Sequence, residues 1–315
     1  MTKPRVVCLV GPTGIGKSAV ALRLAEHFKG EIINADSRQV FEAFPLITAQ
    51  PSQEEQASCP HRLYGFLKTD VRFSAGAWGE KALAHIERTA FPLLVGGTGL
   101  YLRAFFDGIV DIPPVPDDIL ARLTETCRIE GSPALHRKLQ EIDPAYAARI
   151  HENDRQRIVR ALCVYEATGK TFSWWHGQTP PPREADVLRI GLRLPLDTLT
   201  PLLARRIDLM LEAGALDEAR AEYASFPDGT LPGWSGIGCR ELHSYLSGAL
   251  PLDAARELWI KNTRAYAKRQ LTWFNADSRI LWFAPDEGKE ILAVVKGWHQ
   301  QEKDEGRASG GDSRF

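Results

Sequence analysis

Gly11-Pro12-Thr13-Gly14-Ile15-Gly16-Lys17-Ser18 is the stretch on which the reading of this chain turns. It fits GxxxxGK[ST], and its flanks are those the pattern requires: the β-branched apolar run at residues 6–10 precedes it, and Val20, Leu22, Leu24, Ala25 and Phe28 follow at helical spacing. Strand, glycine-rich loop and helix in that order make a phosphate cradle. The glycines let backbone amides converge on oxygens, the helix N-terminus adds positive potential, Lys17 neutralises charge, and the Ser18 hydroxyl is a candidate magnesium ligand. The loop does not name its tenant, because a nucleoside triphosphate and any other diphosphate present the same oxygens.

Outward from the loop, residues 31–35 read as a second strand and residues 93–95, ending in Gly96 and Gly97, as a third. Short apolar runs separated by helical patterns predict an α/β fold, a parallel P-loop NTPase-like sheet with crossover helices. The second strand delivers Asp36-Ser37-Arg38-Gln39 to the carboxyl edge, where ligands bind in such sheets. There Asp36 is a candidate general base, or a holder of a substrate hydroxyl as in small-molecule kinases; a turn or helix-capping aspartate fits the position equally. Proline enrichment at 111–116 and the helical pattern beyond it mark an insertion. Ser132-Pro133, Asp143-Pro144 and Asn153 each start a helix, the last with Ile158, Leu162 and Tyr165 inward, and three prolines at 180–182 form an extended connector. The division expected is an α/β core from 1–111 and about 185–300, a mostly helical insertion over about 112–184, and a disordered tail at 304–315.

Composition narrows the class. The 315 residues are 44% hydrophobic and 25% charged with a formal net charge of -1, which excludes a globally basic nucleic-acid binder but not a local basic patch. No apolar run approaches the roughly 18 residues of a membrane span, and the N-terminus lacks a signal-peptide core, so a cytoplasmic protein without membrane contact is expected. Cys8, Cys59, Cys127, Cys163 and Cys239 lie far apart, and His61, His136, His151 and His176 lack metal spacing, so neither a disulfide framework nor a zinc site is indicated. Residues 256–279 carry six basic residues against two acidic ones. On a helix, Trp259, Tyr266 and Trp273 form one stripe, expected to be core, with Lys261, Arg264 and Lys268 opposite and free to meet phosphates.

Several further motifs stand in order along the chain: Asp36-Ser37-Arg38-Gln39-Val40-Phe41, Pro60-His61-Arg62-Leu63, Leu94-Val95-Gly96-Gly97-Thr98-Gly99-Leu100-Tyr101, Asn153-Asp154-Arg155-Gln156-Arg157-Ile158-Val159-Arg160-Ala161-Leu162, Gly169-Lys170-Thr171, Arg206-Ile207-Asp208-Leu209-Met210 and the run from Thr263 to Phe274. With the phosphate loop, this set resembles the bacterial tRNA dimethylallyltransferases over residues 5–285. The resemblance implies transfer of a dimethylallyl group from dimethylallyl diphosphate to the exocyclic amine of the adenine 3′ of the anticodon, with Mg2+ as cofactor and the chain acting as a monomer on the anticodon stem-loop. It implies Asp36 as general base, Gly11, Pro12, Thr13, Gly14, Ile15, Gly16, Lys17 and Ser18 around the diphosphate, and Arg206 bracing the leaving group. Thr98 then lies beside the target adenine. Contacts to tRNA fall to Asp36, Ser37, Arg38, Gln39, Thr98, Gln156, Arg157, Ile158, Val159, Arg160, Arg240 and Lys268, which makes the helical insertion a tRNA-binding element. The chain departs from the family pattern at Ile47 and Gln50, where glycine and lysine are usual, at Arg38, where methionine often sits, and at Cys239, where tyrosine is common. A kinase and an RNA-binding module with a vestigial loop are the rival readings. ATP turnover marks the first, and indifference to Lys17→Ala the second.

Overall fold

A computed structural model of the chain describes residues 3–309, with side chains described over 3–301. Two compact units result, Met1–Leu102 with Glu184–Phe315, and Arg103–Arg183. The first contains β1 (Arg5–Val10), α1 (Lys17–Phe28), β2 (Glu31–Asn34), α2 (Pro45–Thr48), α3 (Gln53–Ser58), β3 (His61–Arg62), α4 (Ala75–Ile86), β4 (Pro92–Gly96) and the start of α5 (Gly99–Phe106). The second contains α6 (Asp117–Glu130), α7 (Ser132–Ile142), α8 (Pro144–Ala147), α9 (Arg155–Thr168) and α10 (Phe172–His176). The chain then returns to the first unit with β5 (Asp186–Leu192), α11 (Leu196–Glu212), α12 (Ala215–Ser225), α13 (Cys239–Leu246), α14 (Leu252–Asn275), β6 (Leu281–Phe283) and α15 (Gly288–Ser309).

The strands form one all-parallel sheet in the order β3-β2-β4-β1-β5-β6. β1 and β4 are buried along nearly their whole length, which explains why they read as unbroken apolar runs and not as alternating patterns. One core lies where Val7, Leu9, Leu93, Val95 and Ile190 meet Val20, Leu24, Ile291 and Val295. A second gathers Phe44, Ile207, Trp234, Leu242 and Trp259 around α11 to α14. Trp78 of α4 is fully buried, stacks on Tyr101 at 4.7 Å between ring centres, and donates its indole N–H to the Asn34 carbonyl (2.8 Å). Trp78→Ala removes that ring and hydrogen bond together, and urea denaturation is expected to show a loss of about 3–5 kcal/mol.

In the second unit, Leu123, Leu135, Leu139, Ile158 and Leu162 make a separate helical core. The division falls at 102/103, earlier than the proline-rich 111–116, because the end of α5 and the residues after it pack against the returning connector: the Arg183 N–H donates to the Phe106 carbonyl (2.9 Å), and a Cβ on Gly108 would come within 2.7 Å of the Pro180 carbonyl oxygen. The cap of α9 is Asp154, whose carboxylate accepts from the Arg157 N–H, and not the neighbouring Asn153. Tyr165 is 37% exposed, at the edge of the inward face instead of within it. α15 continues to Ser309, so residues 304–309 of the expected tail belong to a helix; residues 310–315 lie outside the described residues. No helix among the described residues is long and apolar enough to cross a membrane.

Candidate active site

The loop after β1 is shaped by glycines in backbone conformations that L side chains avoid. Gly14 has φ 73°, and a Cβ there would stand 2.4 Å from Leu203 Cδ2 and 3.5 Å from Arg206 Nη1, so both conformation and space demand glycine. The same contacts place the Arg206 guanidinium of α11 directly over the loop. Lys17 opens α1 and folds back across the loop, its ammonium donating to the carbonyls of Gly11 (3.0 Å) and Pro12 (2.8 Å). Ser18 is exposed in the first turn of α1.

Two neighbouring strand ends build the other wall. Asn34, fully buried, accepts from the Asp36 N–H (2.7 Å) and donates to the carbonyls of Asp36 (3.0 Å) and Leu63 (2.9 Å), which fixes the backbone where β2 runs out. The Asp36 carboxylate accepts from the Arg38 N–H (2.9 Å), so the turn-forming reading of Asp36 is correct as far as it goes, and the second carboxylate oxygen is left to other work. After β4, the Thr98 N–H donates to the Ala35 carbonyl (3.1 Å), while its hydroxyl accepts from the Ser37 N–H (2.9 Å). Gly96 presses on Ala35 so closely that a Cβ would meet its backbone at 2.2 Å. Since β2, β4 and β1 are adjacent, Asp36, Thr98 and the glycine loop share one edge of the sheet.

Charges at this edge act on one another. Burial pushes the Lys17 ammonium down to about 8, with Asp36 opposing the shift and Arg206 adding to it. The Arg206 guanidinium is likewise lowered by burial and held up by Asp36. Burial, aided by Asp36, pushes the hydroxyl of Tyr266 on α14 up to about 12 against a side-chain hydrogen bond with Thr98, so it stays neutral. Two cations and one carboxylate therefore surround a loop made to bind phosphate. That arrangement suits a reaction in which a diphosphate departs and a proton is collected nearby.

The residues assigned to tRNA by resemblance fall into several situations. Arg38 donates to the Ser235 hydroxyl and Arg240 to the Ser235 carbonyl (3.5 Å), so both gather at the short 3-10 turn Pro232–Ser235. Both amide hydrogens of Gln39 go to backbone carbonyls, those of Thr48 (2.9 Å) and Ala49 (2.7 Å). Lys268 is exposed on α14. In the second unit, Gln156, Arg157 and Arg160 are exposed on α9, whereas the side chains of Ile158 and Val159 are core. The stripe on α14 divides: Trp259 is buried, Tyr266 is partly buried beside Thr98, and Trp273, expected in the core, is 43% exposed and leans on Gly99, where a Cβ would come within 2.0 Å of its indole nitrogen. The unusual Ile47 is buried against Gly238, and Gln50 donates to the Phe41 carbonyl (2.8 Å), so both departures are absorbed by local packing. Cys239 is buried at the start of α13, and burial raises its thiol far out of the reactive range. Asn34 and Gln270 act at this edge without having been singled out from sequence, and Tyr266 was expected only as part of a core stripe; Gln270 stands inside a quoted motif, which was its one available signal.

Residues 39–277 match the family model of IPP transferases. The tRNA dimethylallyltransferase of Nitratidesulfovibrio vulgaris strain DP4 is 59% identical over 296 residues, spanning 93% of this chain and 96% of that one. The enzyme of the same name from Rhodospirillum centenum is 44% identical over 94% of this chain and 96% of its own length. Among solved structures, the full-length tRNA isopentenylpyrophosphate transferase of Bacillus halodurans superposes with a TM-score of 0.70 at 32% identity, covering 97% of this chain and all of the other. A eukaryotic dimethylallyltransferase, captured acting on tRNA, gives a TM-score of 0.74 at 28% identity over 90% of this chain and 74% of that one.

Proposed function

Because this chain belongs to the IPP transferase family, we propose that it is a transferase that modifies tRNA, moving the dimethylallyl group of dimethylallyl diphosphate onto the exocyclic amine of the adenine 3′ of the anticodon. The observation that carries the reading is the grouping of Asp36, Lys17 and Arg206 around a glycine loop at one sheet edge. The amine nitrogen attacks the first allylic carbon, the bond from that carbon to the diphosphate oxygen breaks, and dimethylallyladenosine and diphosphate leave. An exocyclic adenine amine is a very weak acid, so Asp36 helps by taking its proton as the new bond forms. Lys17, Arg206 and the loop amides meet the charge that gathers on the departing oxygen, each such contact being worth about 3 kcal/mol. Thr98, fixed between Ser37 and Tyr266, is the neighbour of the incoming base.

Among the described residues no cluster of three acidic, histidine or cysteine side chains could enclose a metal ion. One serine hydroxyl beside a diphosphate fits magnesium, which keeps most of its waters and takes few protein ligands. Ser18 would hold it, and when bound it adds positive charge against the diphosphate oxygens. Exposed Arg157, Arg160 and Lys268 are of the kind that meets phosphates of an RNA arm.

Nucleoside mass analysis of unmodified tRNA incubated with the chain, magnesium and dimethylallyl diphosphate tests the proposal. A prenylated adenosine at the position 3′ of the anticodon is expected. Consumption of ATP in a parallel incubation, with no prenyl product, would replace it with the kinase reading.

A further inference from the structure

One turn beyond Tyr266 on α14, Gln270 is a polar side chain only 3% exposed. Its oxygen accepts from the Thr13 N–H (2.9 Å), and its nitrogen donates to the Gly97 carbonyl (2.9 Å). These partners lie 257 and 173 residues away in the chain. Thr13 belongs to the glycine loop. Gly97 immediately precedes Thr98, which is bonded to Ser37 beside Asp36. A single amide group thus joins the loop assigned to the donor diphosphate to the one assigned to the acceptor base. The fit is close: a Cβ on Gly97 would stand 2.0 Å from the Gln270 nitrogen, so the approach exists because residue 97 is glycine.

We propose that Gln270 is a positioning residue for the transfer, setting the spacing between the leaving diphosphate and the attacking nitrogen. This rests on the prenyl-transfer reading above. Gln270 touches neither reacting group; it acts through Thr13 and Gly97. Few side chains carry an acceptor and a donor side by side on one rigid plane, and a core filler of this volume would need neither. Reacting atoms must lie about 3–3.5 Å apart and aligned, so freedom of one loop against the other is felt in the chemical step.

Two variants of near-equal volume separate positioning from filling. Gln270→Met loses both hydrogen bonds, whereas Gln270→Glu keeps an acceptor for Thr13 and loses the donor to Gly97. Single-turnover transfer by Gln270→Met, per folded molecule, is expected to slow by about ten- to a hundredfold with tRNA affinity unchanged. Gln270→Glu is expected to fall between it and the unaltered chain. Amide hydrogen exchange at Thr13 reads the clamp without catalysis; it should accelerate in Gln270→Met and remain slow in Gln270→Glu. Unchanged exchange, or a lowered melting temperature with an unchanged single-turnover rate, overturns the proposal. If the unaltered chain transfers no prenyl group while exchange still responds, the prenyl-transfer reading fails and takes the positioning role with it, and the clamp stands as a loop anchor.

Discussion

Asp36→Ala is expected to bind tRNA as the unaltered chain does and to transfer no measurable prenyl group. The side chain lies at the end of β2, and the backbone that carries it is held by Asn34 whatever residue stands there, since all three Asn34 bonds run to main-chain atoms. The substitution therefore removes a carboxylate from an otherwise retained edge, together with one bond to the Arg38 N–H. Asp36→Asn isolates the chemistry further: an amide oxygen still accepts from Arg38 and the volume is unchanged, but no proton is taken up. Loss of a general base costs about 10²–10⁴ in rate, and single-turnover transfer under saturating tRNA and prenyl diphosphate measures it. Transfer by Asp36→Asn at the rate of the unaltered chain would remove Asp36 from the chemistry and leave it as a turn residue.

The second large effect belongs to Lys17. Its ammonium lies against the carbonyls of Gly11 and Pro12 within the loop. Lys17→Ala removes charge from the leaving group and frees two carbonyls that would repel a diphosphate. The rate of transfer at limiting prenyl diphosphate is expected to fall by about 10²–10³, with tRNA affinity intact. Combining it with Arg206→Ala should cost less than the two separate losses together, because both cations act on one diphosphate. A Lys17→Ala protein with full transfer would mean that the loop is vestigial.

Much of this was legible in the sequence because it is local. The glycine loop and its flanking strand and helix are contiguous, and β1, β2 and β4 each showed as an apolar run. β3 and β6, of two and three residues at the two sheet edges, are too short to have a period and were invisible. Trp273 shows the limit of helical periodicity: it shares a stripe with buried Trp259, but Gly99 has no side chain to cover it, and it remains partly in solvent. The resemblance supplied the roles of Asp36 and Arg206; spacing alone would have left the first a turn aspartate and the second a surface arginine. Asn34 and Gln270 escaped notice for a different reason. An amide's value lies in which main-chain groups surround it, and those come from segments far away in the chain.

The pairing of β1 with β5, Arg5 opposite Asp186 through Val10 opposite Gly191, bears on how the molecule is made. A nascent chain that has left the ribosome as far as residue 183 has its phosphate loop and the whole of the helical unit, yet one side of β1 has no partner. At about 5–20 residues per second, roughly 10–40 seconds separate the emergence of β1 from that of β5. The helical unit, contiguous from Arg103 to Arg183, has all its sequence in hand first, while the sheet waits with an apolar strand exposed to mispairing. The loop waits longer still, since its anchor on α14 is synthesised after β5. Truncated translation products ending before α14 should therefore carry an intact phosphate motif that cannot yet be set for work.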